Sequence, residues 1–483
     1  MNVLLTTDSF PPGGGGSGRS TATLARALMR RGHRARVVVA RRVASGQKEW
    51  EGVEVAEVVV PASRLGNARE RERAFARGMV LAAGEEAWDL VHAQHWLSAG
   101  ATRRALPRLP TVVTVRDYWP ICVWSTMLSG AEPCPGCSYT RRVTCIGRHR
   151  PSLWPISAVL PPLVGRELES RRRVLESASA VTAVSRYVAG TIPLERVTVI
   201  PNFVESQREE PARPTAVPER YLLFVGKLEP GKAPDRILPI LDAARAEIPL
   251  LVAGSGSLEA DLRARGGNAR YLGWVDEERV LALIKHADCL LFPSRWQEPL
   301  SRVLLDALAL GAVIVAEPTG GTEEIVVDGE SGLLGRGVDE LGRALRRVLD
   351  DPSLTERLRE GARRRAEAGA AVGLNDVGAV VREQSSRRAK TPGEVVGIAI
   401  EDRESFSPRP GNHPVRHEDR AVAPGARPRC GRRGVQGYVA SFETEIFLES
   451  RHVALEAPIA VDGKDRSREK RDFHVWHVSA TLR

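Results

Sequence analysis

Through roughly the first 370 residues, short apolar runs alternate with turn-marked stretches and segments of helical periodicity. Val3 to Thr6, Ala35 to Ala40, Val58 to Val60, Trp88 to His92, Thr111 to Val115, Val181 to Val184 and Val197 to Ile200 read as buried strands. Thr21 to Arg31 and Ala93 to Leu106 read as helices between them. A second series follows, with strands at Tyr221 to Val225, Pro249 to Ala253, Ala269 to Gly273, Cys289 to Phe292 and Ala312 to Ala316. Its helices are expected at Glu277 to His286, Leu341 to Leu349 and Leu354 to Ala368, with another opening at Glu298-Pro299. Strand and helix in alternation predict an α/β fold with parallel sheets. The aperiodic, proline-bearing stretch Glu205 to Glu219 divides the two series. The expected organisation is a first domain over 1–202, a linker over 203–219 and a second domain over 220–370. Residues 371–384 are a candidate return helix. From residue 385 to 483 the periodicity collapses, which predicts a low-order tail, with Tyr438 to Leu448 as a candidate strand.

Length and composition fit this picture: 483 residues hold two ordinary domains, and 42% hydrophobic with 27% charged residues is the make-up of a soluble globular protein. No apolar run reaches the roughly 18 residues of a membrane span. MNVLLTTDSF has no basic lead of the kind a signal peptide carries, so a cytoplasmic location is expected. The net charge of +10 is uneven: residues 1–202 carry +12, residues 203–384 carry −6 and residues 385–483 carry +4. A basic first half suits an anionic partner, although arginine-rich coding bias explains the excess equally well.

The candidate chemistry lies where strands end. FPPGGGGSGRS, Phe10 to Ser20, is a glycine loop between the first strand and helix, where backbone amides approach a phosphate or sugar. Gly13, Gly15 and Gly18 also satisfy the dinucleotide pattern, and Arg41-Arg42 end the next strand, so an NADP oxidoreductase is an alternative. Thr7 to Pro12 intervene between strand and glycines, which weakens it. Thr111 to Val115 delivers Arg116, Asp117, Tyr118 and Trp119 as acceptor-side or active-site groups, with covering of the sheet edge as the plainer role. Cys122, Cys134, Cys137 and Cys145 fall in an insertion over about 122–165, and the Cys-Pro-Gly-Cys spacing makes structural zinc an alternative to free thiols. Arg148 to Arg173 interleaves Trp154, Ile156 and Leu160 to Val164 with arginines, a pattern that suits either a bilayer surface or a helix packed on the domain. In the second half, GKLEPGK sets Lys227 and Lys232 where two successive phosphates can be met, and a later strand closes on Gly254. Glu298 and Asp306, eight residues apart, are expected on one helix about 12 Å from each other. Taken alone, such a pair is more often a dipole partner and a solvated residue than a site.

These pieces in their order resemble the retaining glycosyltransferases of family four: FPPGGGGSGRS, VVTVRDYWPIC, VTAVS, VIPNFV, LLFVGKLEPGK, LLVAGSGSLEADL, RYLGWVDEERV, ADCLLFPS, EPLSRVLLD and GGTEEIVVDGESGLL. The resemblance covers roughly residues 1–370 and implies a GT-B fold, two Rossmann-like domains facing a central cleft. It further implies that the second domain binds a nucleotide-sugar and the first an acceptor: a glycan, a lipid-linked sugar or a small molecule. Lys227 and Lys232 match the pair that holds the donor diphosphate, Glu298 the acid that contacts the donor sugar, and Asp306 the acid that contacts the ribose. Gly226, Gly254, Val275, Pro299 and Leu300 complete the implied donor wall, with Gly15 and Gly16 facing it. Three departures stand out. Asp306 replaces the usual Glu, Lys227 replaces a common Arg, and Arg116 stands where many members have His. The implied reaction is sugar transfer to a hydroxyl with retention of configuration, needing no metal or other cofactor, in which Glu298, Lys227, Lys232 and Arg116 are the candidate catalytic residues. A catalytically weak nucleotide-sugar or glycan binder on the same scaffold is an alternative, followed by a phosphorylase or an epimerase. Peripheral contact with an anionic membrane is a candidate interaction, and no nucleic acid is expected as a partner.

Overall fold

The computed structural model describes residues 1–12, 15–64, 66–202, 204 and 210–368. The expected return helix, the tail with its Tyr438 to Leu448 strand, and Gly13 of the dinucleotide pattern lie outside the described residues, as does much of the linker.

Two sheets organise the chain. The first runs in the order Thr198–Val199, Ala180–Ala183, Thr111–Val115, Leu90–Ala93, Asn2–Thr7, Arg34–Arg41, Val53–Val59 and Glu49–Trp50, parallel throughout except for the last, antiparallel pair. The second is wholly parallel, in the order Ala269–Gly273, Leu250–Ala253, Leu222–Val225, Cys289–Phe292, Ile314–Ala316 and Leu333–Leu334. Every residue of Leu222–Val225, Leu250–Ala253 and Cys289–Phe292 is buried, as strands covered on both faces by helices must be. In each sheet the first strand of its series lies inside the sheet, between its sequence neighbour and a strand from further along the chain. That reversal opens a crevice beyond the strand carboxyl ends, where ligands of such sheets bind.

Most elements fall where the apolar periodicity sets them, and Thr111–Val115, Ala269–Gly273, Glu277–His286 and Cys289–Phe292 match it residue for residue. Two helices start elsewhere. The first spans Gly15–Arg30, so the second half of the expected glycine loop is already helical. The helix expected to open at Glu298-Pro299 begins instead at Arg302. Ser301 explains the shift, because its side chain caps the helix by accepting from Leu304 N at 3.5 Å. Glu298 therefore sits in the loop before the helix, and the picture of two acids two turns apart on one helix is corrected.

The halves are joined by packing and by polar ties. One buried cluster contains Tyr118 and Trp119 from the first half with Leu300, Leu304 and Ala307 from the second. Tyr118 donates its hydroxyl to Gln297 O at 2.5 Å, and Trp296 Nε1 donates to Thr126 O at 2.6 Å. The Glu324 carboxylate accepts from Arg186 N and Tyr187 N, each at 2.8 Å, at the start of the short helix Arg186–Thr191. Arg19 pairs with Glu277 at 3.1 Å. No described helix is long and apolar enough to cross a membrane.

Candidate active site

Loops from the carboxyl ends of both sheets meet around Glu298. This side chain is 2% exposed, and burying a carboxylate requires partners that hold its charge. Lys232 Nζ lies 2.7 Å from its Oε1, and Ser294 Oγ donates to the same oxygen at 2.6 Å. Lys232 comes from the loop after Leu222–Val225, and its ammonium also lies 5.0 Å from the centre of the Trp296 ring and 5.5 Å from that of Phe292. Lys227, at the start of that loop, is exposed.

The loop that holds Glu298 is shaped by close backbone approaches. Gly321 N donates to Glu298 O at 2.6 Å, and Gly320 N donates to Gln297 Oε1 at 2.9 Å. A side chain at Gly320, whose φ is +56°, would put its Cβ 2.3 Å from Glu298 O. The same constraint holds Gly226 against Gly254, where an added Cβ would lie 1.9 Å from Gly226 O. Arg295 braces the far side of the loop with a bidentate pair to Asp235, both bonds at 2.7 Å. Pro299 and Leu300 are buried behind the acid, and Val275 is half-buried against the same core.

Asp306 is also buried, 4% exposed, with Arg302 Nε 3.5 Å from its Oδ1. Arg302 in turn faces the first half, since a Cβ on Gly16 would lie 3.7 Å from Arg302 Cβ. Gly15 opens onto unfilled space. Arg116 donates to Gln94 Oε1 through Nε at 3.0 Å and Nη2 at 2.5 Å, and through Nη1 to Asn202 Oδ1. Burial and the neighbouring Arg302 charge lower Arg116 to about 10. Asp117 accepts from Trp119 N at 2.8 Å, and its burial raises its carboxyl above the usual range.

The structure thus brings Glu298 and Lys232 into contact, seats Arg302 with Asp306 opposite Gly16, and sets Arg116 beside Arg302. Tyr118 and Trp119 are both fully buried, Tyr118 as a strut to Gln297, so they are interdomain packing rather than an open acceptor surface. Ser294, Arg302, Gln94 and Asn202 were not singled out from sequence. Arg302, four residues before Asp306, carries a readable helical pairing signal. Gln94 and Asn202 reach Arg116 only through strand order.

Among the described residues no group of three or more His, Cys, Asp or Glu is placed to hold a metal ion, and the four cysteines of the insertion are free thiols. Cys145 accepts from Trp124 Nε1 at 3.2 Å and Cys137 from Arg142 Nε at 3.4 Å. Burial pushes the Cys145 thiol up to about 12, with the nearby Cys122, Cys134 and Cys137 adding to the shift, and burial also raises Cys122. The NADP alternative loses its anchor, since Arg41 is taken up by Glu57 and by Pro11 O, each at 3.1 Å.

Comparison with known proteins agrees with this layout. Residues 206–365 match the family model for Glycosyl transferases group 1, and residues 14–208 match that for Glycosyltransferase Family 4. A glycogen synthase of Mycobacterium tuberculosis is 30% identical over 388 residues, covering 76% of this chain and 90% of that protein. A D-inositol 3-phosphate glycosyltransferase of Geodermatophilus obscurus is 34% identical over 245 residues, covering 42% of this chain and 54% of that one. Among solved structures, a sucrose-phosphate synthase from Thermosynechococcus elongatus aligns with a TM-score of 0.62 at 18% identity, covering 80% of this chain and all of that one. HepE of Anabaena in complex with UDP aligns with a TM-score of 0.58 at 17% identity, over 79% of this chain and all of that one. The likeness to these solved structures is one of fold, the GT-B arrangement.

Proposed function

Because the chain belongs to the group 1 glycosyl transferases of family 4, an enzyme family acting with nucleotide-sugar donors, we propose that it transfers a sugar to a hydroxyl acceptor with retention of configuration and without a divalent ion. The observation that carries the reading is the buried Glu298 carboxylate held by Lys232 and Ser294, in a loop tied to the first half through Tyr118. Glu298 contacts the donor sugar. The leaving diphosphate has its charge met by Lys227, Lys232 and the amides of the Gly226 loop, which is electrostatic stabilisation of the leaving group. Asp306 holds the ribose hydroxyls, and Gly15 and Gly16 close over the donor from the first half. The acceptor hydroxyl attacks on the face the diphosphate leaves, giving its proton to the departing phosphate oxygen. The acceptor enters from the first half, past Arg116 and Asp117.

The test is turnover on a panel of nucleotide-sugars and acceptors, with product configuration read by NMR and chelator included in one arm. The expected result is a retained anomeric configuration, chelator-insensitive activity, and at least a hundredfold lower kcat for Glu298→Gln with the protein still folded. Undiminished turnover in that variant removes Glu298 from the chemistry.

One observation favours a second reading, a nucleotide-sugar binder with little or no turnover. Asp306 is already engaged by Arg302 at 3.5 Å, so a ribose must compete with an internal ion pair. Donor binding without transfer across the acceptor panel is the result that selects it.

The acceptor side also favours peripheral membrane contact. Trp154, Ile156, Val159 and Leu163 are exposed, by 58%, 49%, 71% and 41%, and the exposed Arg148 and Arg166 flank them. Aromatic and aliphatic side chains amid arginines fit the headgroup region of an anionic bilayer. Co-sedimentation with vesicles containing phosphatidylglycerol is expected to fall at least fivefold for Trp154→Ser/Ile156→Ser, and equal sedimentation of variant and wild type removes the proposal.

A further inference from the structure

Arg116 carries a charge that its surroundings do not balance. Its three hydrogen bonds go to the neutral amide oxygens of Gln94 and Asn202. A guanidinium has five N–H groups in a fixed fork, so one N–H remains on each terminal nitrogen. Among the described residues no carboxylate pairs with it, and the charge acting on it is that of another cation, Arg302. Arg302 has the Asp306 carboxylate 3.5 Å away, so the charge left without a counter-ion is that of Arg116, and such a half-buried charge is costly unless an anion joins it.

Gln94 supplies the second, independent observation. The residue is 1% exposed, and its Nε2 is buried with no hydrogen-bond partner. Rotating the amide does not relieve this, because Arg116 takes Oε1 through two donors and would then meet N–H groups instead. The Gln94 amide is therefore locked with two donors unused at the carboxyl end of Leu90–Ala93, next to the strand that delivers Arg116. Guanidinium and amide donors at one place, with no acceptor, are the complement of a planar or tetrahedral oxyanion.

We propose that Arg116 and Gln94 seat a carboxylate or phosphate on the first half's side of the crevice, so that one of the two substrates is an acidic sugar or a sugar phosphate. This rests on the glycosyltransferase reading and narrows it. The anion belongs either to the acceptor or to the transferred sugar, and it is distinct from the donor diphosphate, which Lys227 and Lys232 meet in the other half.

Binding measurements separate these sources. The full chain is first titrated with UDP, ADP and GDP, and the tightest binder is kept at saturation. Glucose 6-phosphate, glucuronate and glucose are then titrated by calorimetry, and UDP-glucuronate is compared with UDP-glucose in a separate arm. The expected result is at least a tenfold preference for the acidic member in one arm. Arg116→Gln abolishes that preference, Arg116→Lys restores part of it, and nucleoside diphosphate affinity changes less than twofold, which also reports that the variants fold. No acidic preference in either arm overturns the proposal. So does a nucleoside diphosphate affinity that falls with Arg116→Gln as far as the acidic ligand does, since Arg116 then serves the diphosphate. Failure of all three nucleoside diphosphates to bind instead overturns the glycosyltransferase reading, and this inference with it.

Discussion

Glu298 and His92 show how burial fixes what a side chain does. Glu298 is buried as a charged partner, with Lys232 and Ser294 both on Oε1. His92 is held the other way. Its Nε2 lies 2.6 Å from Thr114 Oγ1, and burial with the nearby Arg116 charge lowers its pKa to about 3 from an ordinary 6.5. The folded protein therefore refuses a proton that the unfolded chain takes up between those values. Stability contributed by His92 is complete above pH 6.5 and drains away as pH falls toward 3. Thermal melts from pH 7 to pH 4 are expected to show a shallower decline for His92→Gln than for wild type, and parallel curves contradict this. At this scale the sequence was partly readable. Glu298 and Lys232 stand out through their motifs, while Gln94 and Asn202 acquire their role only when strands far apart in sequence become neighbours around Arg116. A local window carries no trace of that.

Elements were more legible than their ends. Apolar periodicity located Thr111–Val115, Cys289–Phe292 and Glu277–His286, because burial on fixed faces is what periodicity encodes. The error at Glu298-Pro299 arose from competition between two valid start signals, a proline in the first turn and a serine cap. Ser301 prevailed, and backbone contacts explain why: Glu298 O is already committed to Gly321 N at 2.6 Å, in a loop pinned by Gly320. The cap is thus what separates the acid's loop from the helix carrying Asp306. Ser301→Ala is expected to cost about 1 kcal/mol of unfolding free energy by urea titration. A loss within experimental error means the cap does not set the boundary.

Over the whole molecule, the α/β class and two-part layout followed from alternating strands and helices, but the way the halves meet did not. The main polar tie is Glu324, which takes two backbone N–H groups from the helix start at Arg186. Charged hydrogen bonds of this kind are worth about 1.5–3 kcal/mol each at most, and they sit at an interface between units with their own sheets. Glu324→Ala is therefore expected to lower the melting temperature and to split one calorimetric transition into two, one for each sheet. A single transition at the wild-type temperature would show that the other contacts between the halves couple them without Glu324. Tyr118 plays a different part in that coupling. Its hydroxyl fixes the residue just before Glu298 to the loop that follows Arg116. The bond acts as a surveyor's benchmark, a point common to both maps of the molecule. The nearby insertion can therefore be recut beyond Thr126, whose carbonyl takes the Trp296 bond, to suit a new acceptor without moving the origin from which the acid's position is measured, so long as that phenol stays in place.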